Sequence, residues 1–210
     1  MTTLLKVDGA SASQSVWKQV LDVFKKGGII AYPTETFYGL GVDPFNETAV
    51  KKLFNLKGRE ADKPISILVK DKKMLAEVAE EIPLSAEKLI KKFWHGPLTI
   101  ILKAKKSIPI TLRAGTGTIA VRISSNTITQ KLLEAIDSPI TTTSANPSGK
   151  KSPVTASEVM NYFKNKVDLI LDGGVLSGKL GSTIVDVTEG DLKIIRAGEI
   201  PIERVVESLK

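Results

Sequence analysis

Gly27-Gly28-Ile29-Ile30-Ala31-Tyr32-Pro33-Thr34-Glu35-Thr36-Phe37-Tyr38-Gly39-Leu40-Gly41 is the stretch whose reading decides the fold. Its first six residues form a short apolar run between glycines and a proline, which reads as a buried strand. The proline, the paired hydroxyls and the Gly-x-Gly that follow read as a turn at that strand's carboxyl end. In α/β sheets this is the edge where ligands bind. A helix is predicted over Asn46–Leu56, with Val50, Leu53 and Phe54 facing inward, and it runs into Lys57-Gly58-Arg59, with Lys63-Pro64 just beyond. Hydroxyls and backbone amides orient a small polar molecule, and clustered cations suit phosphates. The segment therefore predicts an anionic-ligand site assembled from non-adjacent pieces.

Outward from this stretch, strands and helices alternate. Ser13–Lys26 reads as a helix with Val16, Val20, Val23 and Phe24 on one face, stopped by Gly27-Gly28. Ile65–Val69, Leu98–Leu102, Ile119–Ile123, Ile140–Thr143 and Leu169–Leu171 read as strands, and Thr183–Val187 with Leu192–Ile195 as a closing pair. Further helices are predicted near Lys72–Glu80, Ser85–Phe93, Thr127–Ile136, Ala156–Phe163 and Ile202–Leu209. A Pro/Gly/Thr-rich connection separates the strands ending at Leu102 and beginning at Ile119. This alternation predicts an α/β protein with a mixed sheet.

The 210 residues fit one domain, and a chain of this size buries roughly 70% of its unfolded surface without metal or disulfide staples. There is no cysteine and one histidine, which excludes thiol nucleophiles, thiolate metal sites, disulfides and multi-histidine zinc sites. The amino terminus lacks a basic region followed by an apolar core, and no apolar run reaches membrane-spanning length, so a cytoplasmic protein is expected. Lys and Arg number 30 against 23 Asp and Glu, a net charge of +7 that fits either a solvated surface or a patch facing a polyanion. Arg59, Arg122 and Arg196 stand at the edges of predicted elements within two residues of a Gly or Ser, where a planar fork grips carboxylate or phosphate.

Several motifs invite misreading. Gly173–Leu180 comes within one residue of G-x-x-x-x-G-K-[ST], but Leu180 replaces the magnesium-ligating hydroxyl and a strand follows instead of a helix, so it reads as a glycine turn. Ser148-Gly149-Lys150-Lys151 fits S-x-x-K without its companion motifs. His95 reads as a partly buried ring at a helix end. The hydroxyl-rich run Thr141–Gly149 is a better candidate for hydrogen bonding to phosphates and a zwitterion, and Gly181-Ser182-Thr183 and Arg196-Ala197-Gly198 repeat its theme. Four such strand ends predict one shared site.

Pro33–Gly41, Lys57-x-Arg59, Gly96-Pro97-Leu98-Thr99, Ala120-Val121-Arg122, Ser144-Ala145-Asn146-x-Ser148-Gly149, Ser182–Asp186 and Ile195-Arg196-x-Gly198 follow one another in the order of the YrdC-like family, the threonylcarbamoyl-AMP synthases. The resemblance spans Gly27 to about Pro201, within a single domain over 1–210 whose motif-bearing core is about 13–201. It implies an open, twisted mixed sheet flanked by helices around a positively charged central cavity. It also implies the conversion of L-threonine, bicarbonate or CO₂, and ATP into threonylcarbamoyl-AMP and pyrophosphate, for N6-threonylcarbamoyladenosine formation in tRNA by a downstream transferase. By resemblance, Thr36, Arg122, Thr142 and Ser182 hold L-threonine, with Arg122 on its carboxylate. Lys57, Arg59 and Lys63 resemble the ATP-phosphate cations, and Thr118, Ser144, Asn146, Ser152 and Arg196 surround the nucleotide. Mg²⁺ is expected to travel with ATP, with no dedicated protein metal site, and the general base stays open. Leu68 stands where longer relatives carry a histidine, and the extra carboxy-terminal domain of some relatives is not expected. The competing reading is a non-catalytic double-stranded RNA or tRNA-binding maturation factor of the same fold. Aromatics at 5% leave no stacking platform for single strands, which restricts that reading to duplex shape.

Overall fold

The computed structural model describes residues 1–8, 12–58, 64–113 and 115–210. Helix boundaries follow local chemistry. Asn46 accepts a hydrogen bond from the Ala49 amide to start α2 (Glu47–Lys57), and Gly58 closes that helix in the left-handed conformation at φ 59°. Asp71 caps α3 (Lys72–Val78), Asn126 caps α6 (Thr127–Ile136), and Thr155 with Glu158 forms a reciprocal capping box on α7 (Ala156–Phe163). The remaining helices are α1 (Gln14–Lys25), α4 (Leu84–Phe93), the short α5 (Ile110–Arg113) and α8 (Ile202–Glu207).

Among the described residues, ten strands form one sheet: β1 (Thr3–Lys6), β2 (Ile30–Tyr32), β3 (Gly39–Gly41), β4 (Ser66–Leu68), β5 (Leu98–Lys103), β6 (Thr118–Arg122), β7 (Ile140–Ser144), β8 (Leu169–Asp172), β9 (Thr183–Asp186) and β10 (Lys193–Arg196). Their order is β1-β8-β2-β3-β7-β4-β6-β5-β9-β10. Parallel pairs (β1–β8, β2–β8, β4–β6, β5–β9) alternate with antiparallel ones, so the sheet is mixed as expected. The apolar residues of its central strands form the core, with Ile30, Leu40, Ile67, Leu98, Ile100, Val121 and Ile140 inaccessible to solvent. Helices flank the sheet, as an α/β core requires.

Three elements depart from the sequence-based expectation. Gly39-Leu40-Gly41, read as part of a turn, is strand β3, antiparallel to β2 with Tyr32 opposite Gly39. Its glycines are demanded by crowding: a Cβ on Gly41 would lie 2.5 Å from the Thr141 carbonyl oxygen. β1 carries no periodic apolar signal because it is a largely exposed edge strand, recruited by its backbone pairing with β8. The expected Pro/Gly/Thr connection contains the single turn α5.

Candidate active site

Strand register gathers side chains from distant sequence onto one face of the sheet. Ser66 pairs with Thr142, Gly39 with Ser144, Leu68 with Arg122 and Thr99 with Ile184, and cross-strand partners share a face. Over this face lies a cavity of about 440 Å³. It is lined by the loop between β2 and β3, by Pro64–Ser66, by β7, and by the strand ends that carry Arg122, Ser182 and Arg196. Seven of the residues expected from the resemblance meet here: Thr36, Arg122, Thr142, Ser144, Ser152, Ser182 and Arg196.

Thr34, Glu35 and Thr36 sit in the loop that joins β2 to β3. The Thr34 hydroxyl donates to the Phe37 carbonyl, and Thr34 and Thr36 hydroxyls lie 3.0 Å apart. Arg122 ends β6 and is buried. Its Nη1 donates to Glu35 Oε1 at 2.9 Å, while Glu35 Oε2 accepts from the Ser124 hydroxyl. Arg122 Nε is buried and makes no hydrogen bond, and among the described residues Nη2 has no protein acceptor either. The guanidinium thus meets the protein through Nη1, at a residue that lines the cavity. Tyr32 and Tyr38 brace the loop from beneath, donating to the Thr141 and Gly174 carbonyls at 2.8 Å each. Burial raises both phenols' pKa, that of Tyr38 to about 12.

The opposite wall is built on Ser182. Its hydroxyl lies 2.8 Å from that of Thr99, and the Arg196 guanidinium donates to both the Ser182 carbonyl and hydroxyl, at 2.7–3.1 Å. Between β8 and β9, residues 173–182 form a strap rather than an isolated glycine turn. Leu176 N donates to Val154 O, Gly178 passes against the Thr36 carbonyl, and the Lys179 and Leu180 amides both donate to Glu199 Oε1. The amides that would cradle a phosphate in a phosphate loop are therefore taken by a carboxylate, and Leu180 and Gly181 face the cavity instead.

Lys57, Thr118 and Asn146, the other described nucleotide contacts implied by the resemblance, are not among the residues that line this cavity. Lys57 is 3% exposed, and its ammonium donates to the Ser144 and Asn146 carbonyls at 2.5 and 2.7 Å. It holds the loop after β7 in shape. Asn146 locks the same loop by donating its amide to the Pro147 and Lys150 carbonyls. Thr118 starts the strand that Arg122 ends, about 13 Å away at strand rise, and its hydroxyl pairs with that of Thr116. The expected phosphate cations Arg59 and Lys63 lie outside the described residues. His95 is exposed rather than partly buried, because its ring lies beyond the end of α4. Leu68 is buried opposite Arg122 and is not among the lining residues. Sequence reasoning missed Thr99, Leu180 and the partnership of Glu35 with Arg122. Only Glu35 carried a signal, as a carboxylate set between two site hydroxyls.

Among the described residues, no group of three His, Asp or Glu side chains is arranged to hold a metal ion, and no helix is long and apolar enough to cross a membrane. Fold and site together define an α/β protein with a hydroxyl- and arginine-lined cleft on one sheet face, suited to anionic ligands. The chain belongs to the Sua5, YciO and YrdC family: the family model, described as telomere recombination, matches residues 22–198. It is 41% identical over 181 residues to a Pyrococcus abyssi threonylcarbamoyl-AMP synthase, covering 86% of this chain and 53% of that protein. A Methanocaldococcus jannaschii relative is 41% identical over 192 residues, with 90% of each chain covered. The crystal structure of Pyrococcus abyssi Sua5 complexed with L-threonine superposes with a TM-score of 0.92 at 36% identity, covering 99% of this chain and 60% of that one. The chain thus spans a little over half of the Pyrococcus protein's length and nearly all of the Methanocaldococcus one.

Proposed function

We propose that this protein is an L-threonylcarbamoyladenylate synthase, converting L-threonine, bicarbonate or CO₂, and ATP into threonylcarbamoyl-AMP and pyrophosphate. The observation that carries the reading is Arg122 in the cavity wall, a guanidinium held by Glu35 through Nη1 and of the kind that pairs with a ligand carboxylate. The name of the Pyrococcus relative and the threonine bound in that organism's Sua5 structure support it. They favour catalysis over the RNA-binding alternative.

In this mechanism Arg122 takes the threonine carboxylate, and Thr36, Thr142 and Ser182 surround the rest of the amino acid. The threonine amine attacks CO₂ and gives up a proton, forming a carbamate. A carbamate oxygen then attacks the α-phosphorus of ATP, and pyrophosphate leaves with the Mg²⁺ that entered with the nucleotide. No protein nucleophile takes part. Catalysis rests on holding two anions together and screening the charge that builds on the phosphates. Ser144, Ser152 and Arg196 face the nucleotide, and Arg59 and Lys63 supply cations for the triphosphate. The adenylate passes to a transferase that acts on tRNA, in the cytoplasm.

Pyrophosphate release from ATP and bicarbonate, run with and without L-threonine, tests the activity. Release is expected only with threonine, with serine a weaker substitute because loss of one methyl contact costs about 1–3 kcal/mol. Arg122→Lys keeps the charge but loses the fork, so the threonine dissociation constant is expected to rise about ten- to hundredfold while ATP-analogue binding holds. Release indifferent to amino acid would reject the function, and unchanged threonine affinity in a folded Arg122→Lys protein would reject the pocket.

A further inference from the structure

We propose that Glu35 is a positioning residue for substrate recognition: by holding Nη1 it fixes the Arg122 guanidinium in one orientation at the cavity wall. The inference rests on the reading that Arg122 receives the threonine carboxylate. Glu35 itself does not line the cavity and is placed to act only through its partner.

The geometry is specific. An arginine side chain ending a strand has several torsions about which its fork can turn, and a carboxylate ligand needs that fork held in one orientation. Nη1 is pinned to Glu35 Oε1 at 2.9 Å, with the arginine and glutamate side chains 6% and 14% exposed. The other carboxylate oxygen is fixed in turn by the Ser124 hydroxyl, which itself accepts from the Asn126 amide at 3.2 Å. Asn126 caps α6, and Thr129 on that helix donates its hydroxyl to the Pro33 carbonyl, at the base of the loop that carries Glu35. A closed circuit therefore runs from the first loop through Glu35 to the end of β6, into α6 and back to the first loop. Glu35 also lies between Thr34 and Thr36, so one backbone segment sets the hydroxyls and the arginine at once.

Electrostatics gives the inference a diagnostic sign. A carboxylate beside Arg122 lowers the positive potential that a second carboxylate, the ligand's, would feel. Removing Glu35 would strengthen anion binding if charge alone mattered. Weaker threonine binding after its removal therefore reports lost geometry and not lost charge, and the double variant assigns that loss to the fork.

Threonine binding by calorimetry, threonine KM in pyrophosphate release, and ATP-analogue binding would be measured for Glu35→Ala, Glu35→Gln, Arg122→Lys and the double variant Glu35→Ala/Arg122→Lys. Glu35→Ala is expected to raise the threonine dissociation constant and KM about ten- to hundredfold, with ATP-analogue affinity held within about twofold. Glu35→Gln keeps an acceptor for Nη1 and is expected to restore part of the loss. In the Arg122→Lys background, removing Glu35 is expected to add less than about threefold, since a positioning residue has nothing left to position. Unchanged or tighter threonine binding in Glu35→Ala, additive losses in the double variant, or equal weakening of threonine and ATP analogue would each overturn the proposal. Should melting show Glu35→Ala to be unfolded, Glu35→Gln carries the test: threonine affinity and KM equal to the parent's would then reject it. If Arg122→Lys alone leaves threonine affinity intact, the pocket assignment fails. If Arg122→Lys weakens threonine binding but the Glu35 variants do not, only the positioning role fails.

Discussion

Gly178→Ala is the most incisive perturbation of the strap over the cavity. A Cβ built at this residue would lie 1.6 Å from the Thr36 carbonyl oxygen and 2.4 Å from its carbonyl carbon, both backbone atoms that no rotamer change can move aside. Restoring ordinary contact needs a retreat of roughly 1.5–2 Å. The hydrogen bonds that seat the strap, at 2.8–3.1 Å from Leu176 N to Val154 O and from the Lys179 and Leu180 amides to Glu199, would be stretched out of range by that movement. Overpacking of this kind costs about 1–3 kcal/mol, which for a chain of this length lowers the melting temperature by roughly 2–12 °C. Because Leu180 and Gly181 move with the strap, threonine and ATP-analogue binding should weaken as well. Differential scanning calorimetry and ligand titration read both effects. Parent-like melting and ligand affinity in Gly178→Ala would refute the contact between strap and first loop, and with it the account of how the cavity is roofed.

Lys57→Met strips the ammonium from two buried carbonyls and should cost about 2–5 kcal/mol in denaturant unfolding; parent-like stability would return Lys57 to the role of phosphate cation. Lys179→Ala should change stability by no more than about 0.5 kcal/mol and leave ATP-analogue binding intact, because the strap is fixed by main-chain amides and not by this exposed side chain; clear loss of ATP binding would revive the phosphate-loop reading. Alkaline unfolding should follow the tyrosines. The buried phenols of Tyr32 and Tyr38 keep their protons to higher pH than the ordinary 10.0, so stability is intact below pH 10 and falls as pH climbs through about 12. Phenolate absorbance rising near pH 10 for all three tyrosines, with the fold intact by circular dichroism, would contradict that burial.

Much of the architecture was legible because it is written in local chemistry. The helices over Thr127–Ile136 and Ala156–Phe163 fall where they were expected, since Asn126 and Thr155 cap them and their apolar periodicity is unbroken. The central strands announced themselves as short apolar runs between turn residues. β1 and β3 were not legible in that way: one is an exposed edge held by backbone pairing, and the other is two glycines and a leucine whose identity answers to crowding from β7. Lys57 shows the same limit at the site. A lysine before Gly-Arg reads as a phosphate-binding cation, and only the folded chain shows its charge turned inward onto Ser144 and Asn146.

By itself, then, the sequence determined the α/β class, most elements, the family and the inventory of hydroxyls and arginines, because periodicity, capping and motif order are properties of neighbouring residues. Tertiary structure alone decided which of those residues share the cavity, which carboxylate holds Arg122, and what the near-miss phosphate loop does. Those outcomes depend on strand register and on contacts between segments some 85 to 145 residues apart, such as Glu35 with Arg122 and Thr36 with Gly178. No local pattern encodes which way a buried donor turns once its neighbours are in place.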